Sequence, residues 1–436
     1  MESRVLIAIL IAGFALCTAS VSSAVPVGVR VLVVKETWGP QPFTAPEVDT
    51  VMGAASQFYA TASFGGLTLS FEQTPWLSQL SGPLSCDDQT SALALPVKLA
   101  ALASEAGYNP TGYDRVIFAF PASNCAFTGL FNTGGILLNG LFNEGIVVHE
   151  LGHSFGMGHA GAFVCHYYTS TVRHCRSDVY GDPWDVMGAD SDTAVSTLPV
   201  GDFGALQRAR AGWLNDVETV SLPGTYRLAA LEESAPTAAQ ALVIKTAFFD
   251  YWIDHREPIA NDSYLAGPPL ADVVSGFEVH RASPGLLSGR PNFPVEPDWL
   301  VPRGKKNLYF TPPGATLSVP GLFAVTGVSR NGGVMTLRFR WLDRTSPSAP
   351  VITTPQPNAT VAAPLIIHWK PSHDSGAGVA RYLVTVDQGT ATAAAASPTT
   401  LPPISPGPHT LSVVAVDYAG NRSRATIRHF TASASA

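Results

Sequence analysis

From Val27 onward, apolar positions alternate in some stretches and recur at helical spacing in others, so strands and helices take turns. Val29-Arg30-Val31-Leu32-Val33-Val34 is almost continuously apolar, the pattern of a strand buried on both faces. Residues 46–62 carry Val48, Val51, Met52, Ala55, Phe58 and Tyr59 at helical spacing, with Pro46 near the start. Phe64-Gly65-Gly66 breaks that pattern, and Leu67-Thr68-Leu69-Ser70-Phe71 alternates as a strand does. A second helix is predicted over 91–106, where Pro96 is an awkward interior residue and a candidate for its true start. Residues 115–121 read as another strand. After a glycine-rich stretch at Gly134 and Gly135, Leu141, Phe142, Ile146, Val147, Val148 and Leu151 outline a third, strongly apolar helix.

Past about residue 217 the character changes. Thr225-Tyr226-Arg227-Leu228, 240–245, Tyr251-Trp252-Ile253-Asp254 and 334–341 are short runs separated by Gly, Pro and Asn turns, which predicts an all-β segment. Arg344-Thr345-Ser346-Pro347 opens a linker up to Pro350, and 365–369, 381–387 and 409–417 read as strands of a small β-sandwich. A chain of 436 residues is long enough for two or three domains. The organisation expected is a removable leader over 1–24, an α+β domain over 25–214, a β-rich domain over 215–343 and a linker with a sandwich over 344–436.

The leader is expected because 5–17 is almost wholly apolar and Ser22-Ser23-Ala24 offers the small residues of a signal-peptidase site, with cleavage after Ala24. Its run of about 13 residues falls short of the roughly 20 that span a bilayer, so the mature chain is expected to be secreted without a membrane span. The formal charge of −7 and the lack of any Lys/Arg run give no reason to expect nucleic acid or an anionic membrane as partner. Beyond the leader stand Cys86, Cys125, Cys165 and Cys175, an even number that in an exported chain suggests two disulfides. Cys86 with Cys125 and Cys165 with Cys175 is the pairing expected, although three connectivities are open.

The chemistry concentrates in His149-Glu150-Leu151-Gly152-His153-Ser154-Phe155-Gly156-Met157-Gly158-His159. On a helix, His149 and His153 lie one turn apart on one face and can share a zinc ion, with Glu150 beside them as general base. Gly156 permits a positive φ, so the chain can turn sharply and bring His159 back to the metal. Three neutral imidazoles leave a fourth position for water, as a catalytic zinc site requires. Met187, in Asp185-Val186-Met187-Gly188, is expected to pack beneath the three rings without bonding the metal.

These phrases, with Tyr180-Gly181-Asp182, Phe58-Tyr59-Ala60-Thr61-Ala62-Ser63-Phe64-Gly65-Gly66-Leu67 and Arg210-Ala211-Gly212-Trp213-Leu214, resemble the gametolysin family of metallopeptidases, within the metzincins. The resemblance covers most of 26–214. It implies a twisted mixed sheet with an active-site helix, one catalytic zinc, and cleavage of peptide bonds in extracellular or cell-wall proteins. Some metzincins place a Tyr two residues after the Met of this turn; Ala189 stands there, so no tyrosine ligand is expected. No cysteine lies between Ala24 and Cys86, which argues against a thiolate that blocks the zinc.

The tail resembles bacterial Ig-like or fibronectin-type modules through Asp374-Ser375-Gly376, Val384-Thr385-Val386-Asp387 and Asp417-Tyr418-Ala419-Gly420-Asn421. It reads equally as a module that binds a surface or as a spacer. Asp178, Asp182, Asp185, Asp190 and Asp192 form either a calcium site or a solvated acidic loop, and the second fits isolated acids better. His166, His174, His255 and His280 lack ligand spacing and read as surface or hydrogen-bonded residues. Two further readings compete: a surface-binding protein with a vestigial protease fold, which the intact Glu150 opposes, and a zinc hydrolase for a non-peptide substrate.

Overall fold

The first strand is apolar on both faces because helices cover both sides of its sheet. In a computed structural model describing residues 27–84, 89–165, 175–188, 200–214, 216–267, 270–284, 298–303 and 309–433, strands predominate and form five sheets among the described residues. The expected leader, Cys86, His166, His174, Ala189, Asp190 and Asp192 lie outside those residues. No helix of the described residues is long and apolar enough to cross a membrane.

The first sheet joins β1 (Val27–Glu36), β2 (Leu67–Leu77), β3 (Arg115–Phe120), β4 (Gly129–Asn132) and β5 (Gly135–Asn139) in the order β2-β1-β3-β5-β4. The first four in that order run parallel, and β4 returns antiparallel along β5 as the edge strand. Alternation divides β1 between two cores. Val29, Val31 and Val33 pack towards α1 (Ala45–Ala62) and α3 (Glu144–Ser154), while Leu32 and Val34 join the core of α2 (Gln89–Glu105) on the other face. Helix α1 opens on a capping box: Glu47 N donates to the Thr44 hydroxyl at 3.4 Å, and Thr44 N donates to the Glu47 carboxylate at 2.6 Å. A cap of this kind stabilises by about 1 kcal/mol.

Pro96 does not start its helix; it lies inside α2. Its ring fills the space above Gly134, where an added Cβ would stand 2.9 Å from the proline Cβ. Packing thus offsets the intrahelical hydrogen bond that proline cannot donate.

The second sheet takes strands from both sides of residue 214. β6 (Ala160–Cys165) and β7 (Cys175–Asp178) follow α3 directly, and with β8 (Val217–Thr219), β10 (Ala241–Lys245), β11 (Asp250–His255), β12 (Phe277–Ala282) and β13 (Asp298–Leu300) they form the order β7-β6-β13-β12-β11-β10-β8. The parallel pairing of β13 with β6 ties the segment after the zinc motif to the β-rich segment. Short helix α4 (Ala205–Arg210) packs between them, and β9 (Gly224–Ala229), β14 (Thr316–Val319), β15 (Phe323–Asn331) and β16 (Val334–Trp341) make a third, antiparallel sheet. The C-terminal sandwich has a three-stranded sheet (Val351–Thr354, Ile366–Lys370, Thr399–Thr400) over a five-stranded one built on Val379–Val386, Gly407–Asp417 and Thr426–Ala432. Trp369, Tyr382 and Phe430 fill the core between them.

Cys165 and Cys175 are joined across the β6–β7 pair, where they face each other in register. Cys125 is also disulfide-bonded. Replacing Cys165 and Cys175 together by Ser removes a cross-link that spans a sequence separation of 10. Loop-closure entropy puts the expected loss near 2–3 kcal/mol. Calorimetry should show a lower melting temperature for the double variant, and an unchanged one would mean that the cross-link does not stabilise the fold.

Candidate metal centre

Helix α3 begins where the Asn143 side chain accepts a hydrogen bond from Ile146 N at 2.9 Å. Leu141 and Phe142 therefore precede the helix. Ile146, Val147, Val148 and Leu151 anchor it in the core, while His149 and Glu150 are also buried. At the C-terminal end Met157 N returns to Gly152 O at 3.1 Å, and Gly156 adopts a φ of +90° that an L side chain rarely tolerates. The reversed chain is held from outside, since Gly158 N donates to the buried Gln207 side chain of α4 at 3.1 Å.

This turn brings His159 back over the helix. Ring centroids lie 4.8 Å apart for His149–His153, 4.8 Å for His153–His159 and 5.4 Å for His149–His159. One ligand atom from each of the three lies within 4.8 Å of the others. His149 Nδ1 contacts Val186 O at 2.8 Å, and His153 Nδ1 contacts Met157 O at 3.0 Å. A carbonyl only accepts, so both Nδ1 atoms carry the proton and both Nε2 atoms carry the lone pair. Backbone carbonyls orient metal-binding imidazoles in this way.

Burial also keeps the rings neutral. It lowers the His149 pKa well below the ordinary histidine value, with nearby His153 adding to the effect, and it lowers His153 likewise. His159 is pushed down to about 4 by burial and then by His153. Three neutral nitrogens, two already fixed in the right tautomer, fit a zinc ion.

Met187 is fully buried beneath this group. Its sulfur touches helix α3 at Gly152, where an added Cβ would lie 2.6 Å from Sδ. Asp185 staples the turn, accepting from Met187 N at 2.8 Å through one carboxylate oxygen and from Gly204 N at 2.7 Å through the other. Gly188 has no room for a side chain, because a Cβ would come within 2.2 Å of Ala160 O and 2.4 Å of Asp182 O. A single turn thus supports Met187 and the Val186 carbonyl that orients His149.

Three neighbours were not assigned roles by spacing alone. Gly129 of β4 lies against Glu150, with an added Cβ only 2.4 Å from Oε1. Tyr59 of α1 donates to Val148 O at 2.6 Å and clamps α3 from behind. Tyr180 sets its ring 4.3 Å from that of His159 and remains 45% exposed, so it walls the open side of the site. Only Tyr59 and Tyr180 had a sequence signal, as members of the phrases quoted above.

The acidic segment differs from the expected solvated loop. Among the described acids of the segment, Asp182 and Asp185 are completely buried, while Asp178 is near solvent, paired with Arg176 at 3.1 Å. Of the two alternatives for His255 and His280, surface or hydrogen-bonded, burial excludes the first, and His255 fits the second. His255 is buried between Gly276 O at 2.9 Å and Glu257 at 3.1 Å, and His280 is buried among carboxylates. Strand alternation places both inward from β11 and β12, a consequence of pairing that ligand spacing does not register.

No family model and no curated protein matches the chain. Among solved structures, the fibronectin(III)-like modules of Clostridium thermocellum CbhA match at 18% identity and a TM-score of 0.17, covering 20% of this chain and 99% of that one. The glycoside hydrolase domain of Endo-D from Streptococcus pneumoniae R6 matches at 19% identity and a TM-score of 0.17, over 23% of this chain and 17% of that chain. Chitinase ChiA74 from Bacillus thuringiensis matches at 12% identity and a TM-score of 0.18, over 92% of this chain and 65% of that chain. Likeness this weak assigns no family to the chain, and the chemistry of the site has to be argued from its own residues.

Proposed function

We propose that residues 27–214 act as a metzincin-like zinc endopeptidase on extracellular or cell-wall proteins. The observation that carries this reading is the convergence of His149, His153 and His159, two of them held through Nδ1, beside the buried carboxylate of Glu150. Gly156 at positive φ and Met187 under the rings support the same assignment. The apolar leader and the Cys165–Cys175 cross-link support export.

His149, His153 and His159 would hold a zinc ion, which when bound would supply a Lewis acid and lower the pKa of a water to about 7. Glu150 accepts a proton from the attacking water and returns it to the departing amine, so its carboxylate ends as it began. The Val186 carbonyl of the Met187 turn orients His149, the Met157 carbonyl orients His153, and the Tyr180 ring lies against His159. Edge strand β4 runs beside α3, and an extended peptide can add to such an edge through main-chain hydrogen bonds. That geometry favours a peptide over a compact non-peptide substrate.

Incubation of the purified protein with casein and a mixed peptide library, with and without a chelator, tests the proposal. Cleavage should be abolished by the chelator and restored by zinc. A zinc-loaded, folded protein that cleaves nothing yet still binds a cell surface would instead be the vestigial form.

A further inference from the structure

Behind the Met187 turn, where β11 and β12 face the second-sheet side of the loop, lies a group of buried donors with little to satisfy them. Asp254, Glu278 and His280 each place one ligand atom within 4.8 Å of the others. All three are buried, as are Asp182 and Asp298 beside them. Each of three carboxylates has one oxygen anchored: Asp254 Oδ2 accepts from Ala205 N at 2.8 Å, Glu278 Oε1 from Arg256 Nε at 2.8 Å and Asp182 Oδ1 from Trp184 N at 3.0 Å. The other oxygen of each (Asp254 Oδ1, Glu278 Oε2, Asp182 Oδ2) and both ring nitrogens of His280 have no hydrogen-bond partner among the described residues.

A buried polar atom left in this state is destabilising, and an anionic one more so. The spacing is informative too. His280 Nε2 stands 3.8 Å from Glu278 Oε1 and 3.9 Å from Asp182 Oδ2, and Nδ1 stands 3.7 Å from Asp298 Oδ2. An imidazolium would draw such carboxylates to roughly 2.7–2.9 Å. Donors that share an ion at about 2.0–2.2 Å stay more than 3 Å apart.

We propose that Asp254, Glu278 and His280 form a second, buried site for a divalent cation of the zinc class, flanked by Asp182 and Asp298. One imidazole with two carboxylates favours a transition ion over calcium or magnesium, which prefer all-oxygen shells. Asp298 Oδ2, 3.7 Å from Nδ1, stands on the side from which a carboxylate commonly orients a metal-binding histidine, without a hydrogen bond to it.

The role is structural. The ion would join β11 and β12 to the loop that carries Met187, while Asp298 N donates to His159 O at 3.2 Å and links the same cluster to the third histidine of the outer site. Catalysis at the outer site is not required for this site to exist.

Metal analysis of the purified full chain separates the two sites. About two equivalents of zinc are expected in the wild type and about one in a His149→Ala/His153→Ala variant, which would be inactive yet still folded. Adding Glu278→Gln or His280→Gln to that variant should remove the remaining equivalent. As a check that does not depend on those variants folding, chelation of the His149→Ala/His153→Ala protein should lower its melting temperature by several degrees, and zinc should restore it. A folded His149→Ala/His153→Ala protein that holds no metal, or only calcium, would overturn the second site. Absence of peptide cleavage by the wild type, with one equivalent still bound in that variant, would overturn the peptidase reading of the outer site and leave the second site standing.

Discussion

Glu150→Gln should leave a folded, zinc-loaded protein that has lost nearly all turnover. The amide is nearly isosteric with the carboxylate, so the buried side chain keeps its place against Gly129 and the packing of α3 is undisturbed. What it cannot do is accept a proton. General-base catalysis contributes about 10²–10⁴-fold, and a loss of that size in kcat is expected with KM changed far less. Metal content should remain at the wild-type level because the His149, His153 and His159 nitrogens are untouched. Steady-state cleavage of casein, paired with metal analysis of the same sample, reads both quantities. A variant as active as the wild type would remove Glu150 from the chemistry.

The outer site was legible in sequence because its parts are local. Eleven consecutive residues contain all three imidazoles, Glu150 and the Gly156 that turns the chain back. Strand β1 could be read because burial on both faces leaves a continuous apolar run, and 334–341 because its alternation begins directly after the Gly332-Gly333 turn. Elsewhere the determining contacts are between distant segments. Pro96 looked like a helix boundary until its packing on Gly134 came into view. The acids after the zinc motif looked solvated because composition records charge and not depth; α4, β11 and β12 bury Asp182 and Asp185. His280 has one neighbour close in sequence, Glu278, while residue 254 arrives when β11 pairs with β12, 298 when β13 pairs with β12, and 182 from the loop after β7. Short-range spacing therefore reveals a site built on one helix and misses one assembled from several strands.

Gly129→Ala should disable the proposed peptidase without touching His149, His153 or His159. The new methyl would fall 2.4 Å from Glu150 Oε1, 2.8 Å from Cγ and 2.9 Å from Cδ, and all three contacts are with the one side chain whose position the reaction depends on. Because Gly129 is paired to Leu138 in the sheet, β4 is less able to retreat than the carboxylate is to swing aside. A displacement of about 1 Å from productive geometry costs roughly 10²-fold in rate, so kcat should fall by about that factor. Zinc content should stay the same, and stability should fall only by the modest amount that overpacking causes, on the order of 1–3 kcal/mol. The decisive comparison is the double variant. If Gly129 acts only by placing Glu150, then Gly129→Ala should add almost nothing to the defect of Glu150→Gln, because the group it mispositions no longer accepts a proton. Losses that multiplied would instead mean that the methyl acts on the substrate path along β4. Unimpaired turnover in Gly129→Ala would mean that the carboxylate does not work from the position it occupies against that strand.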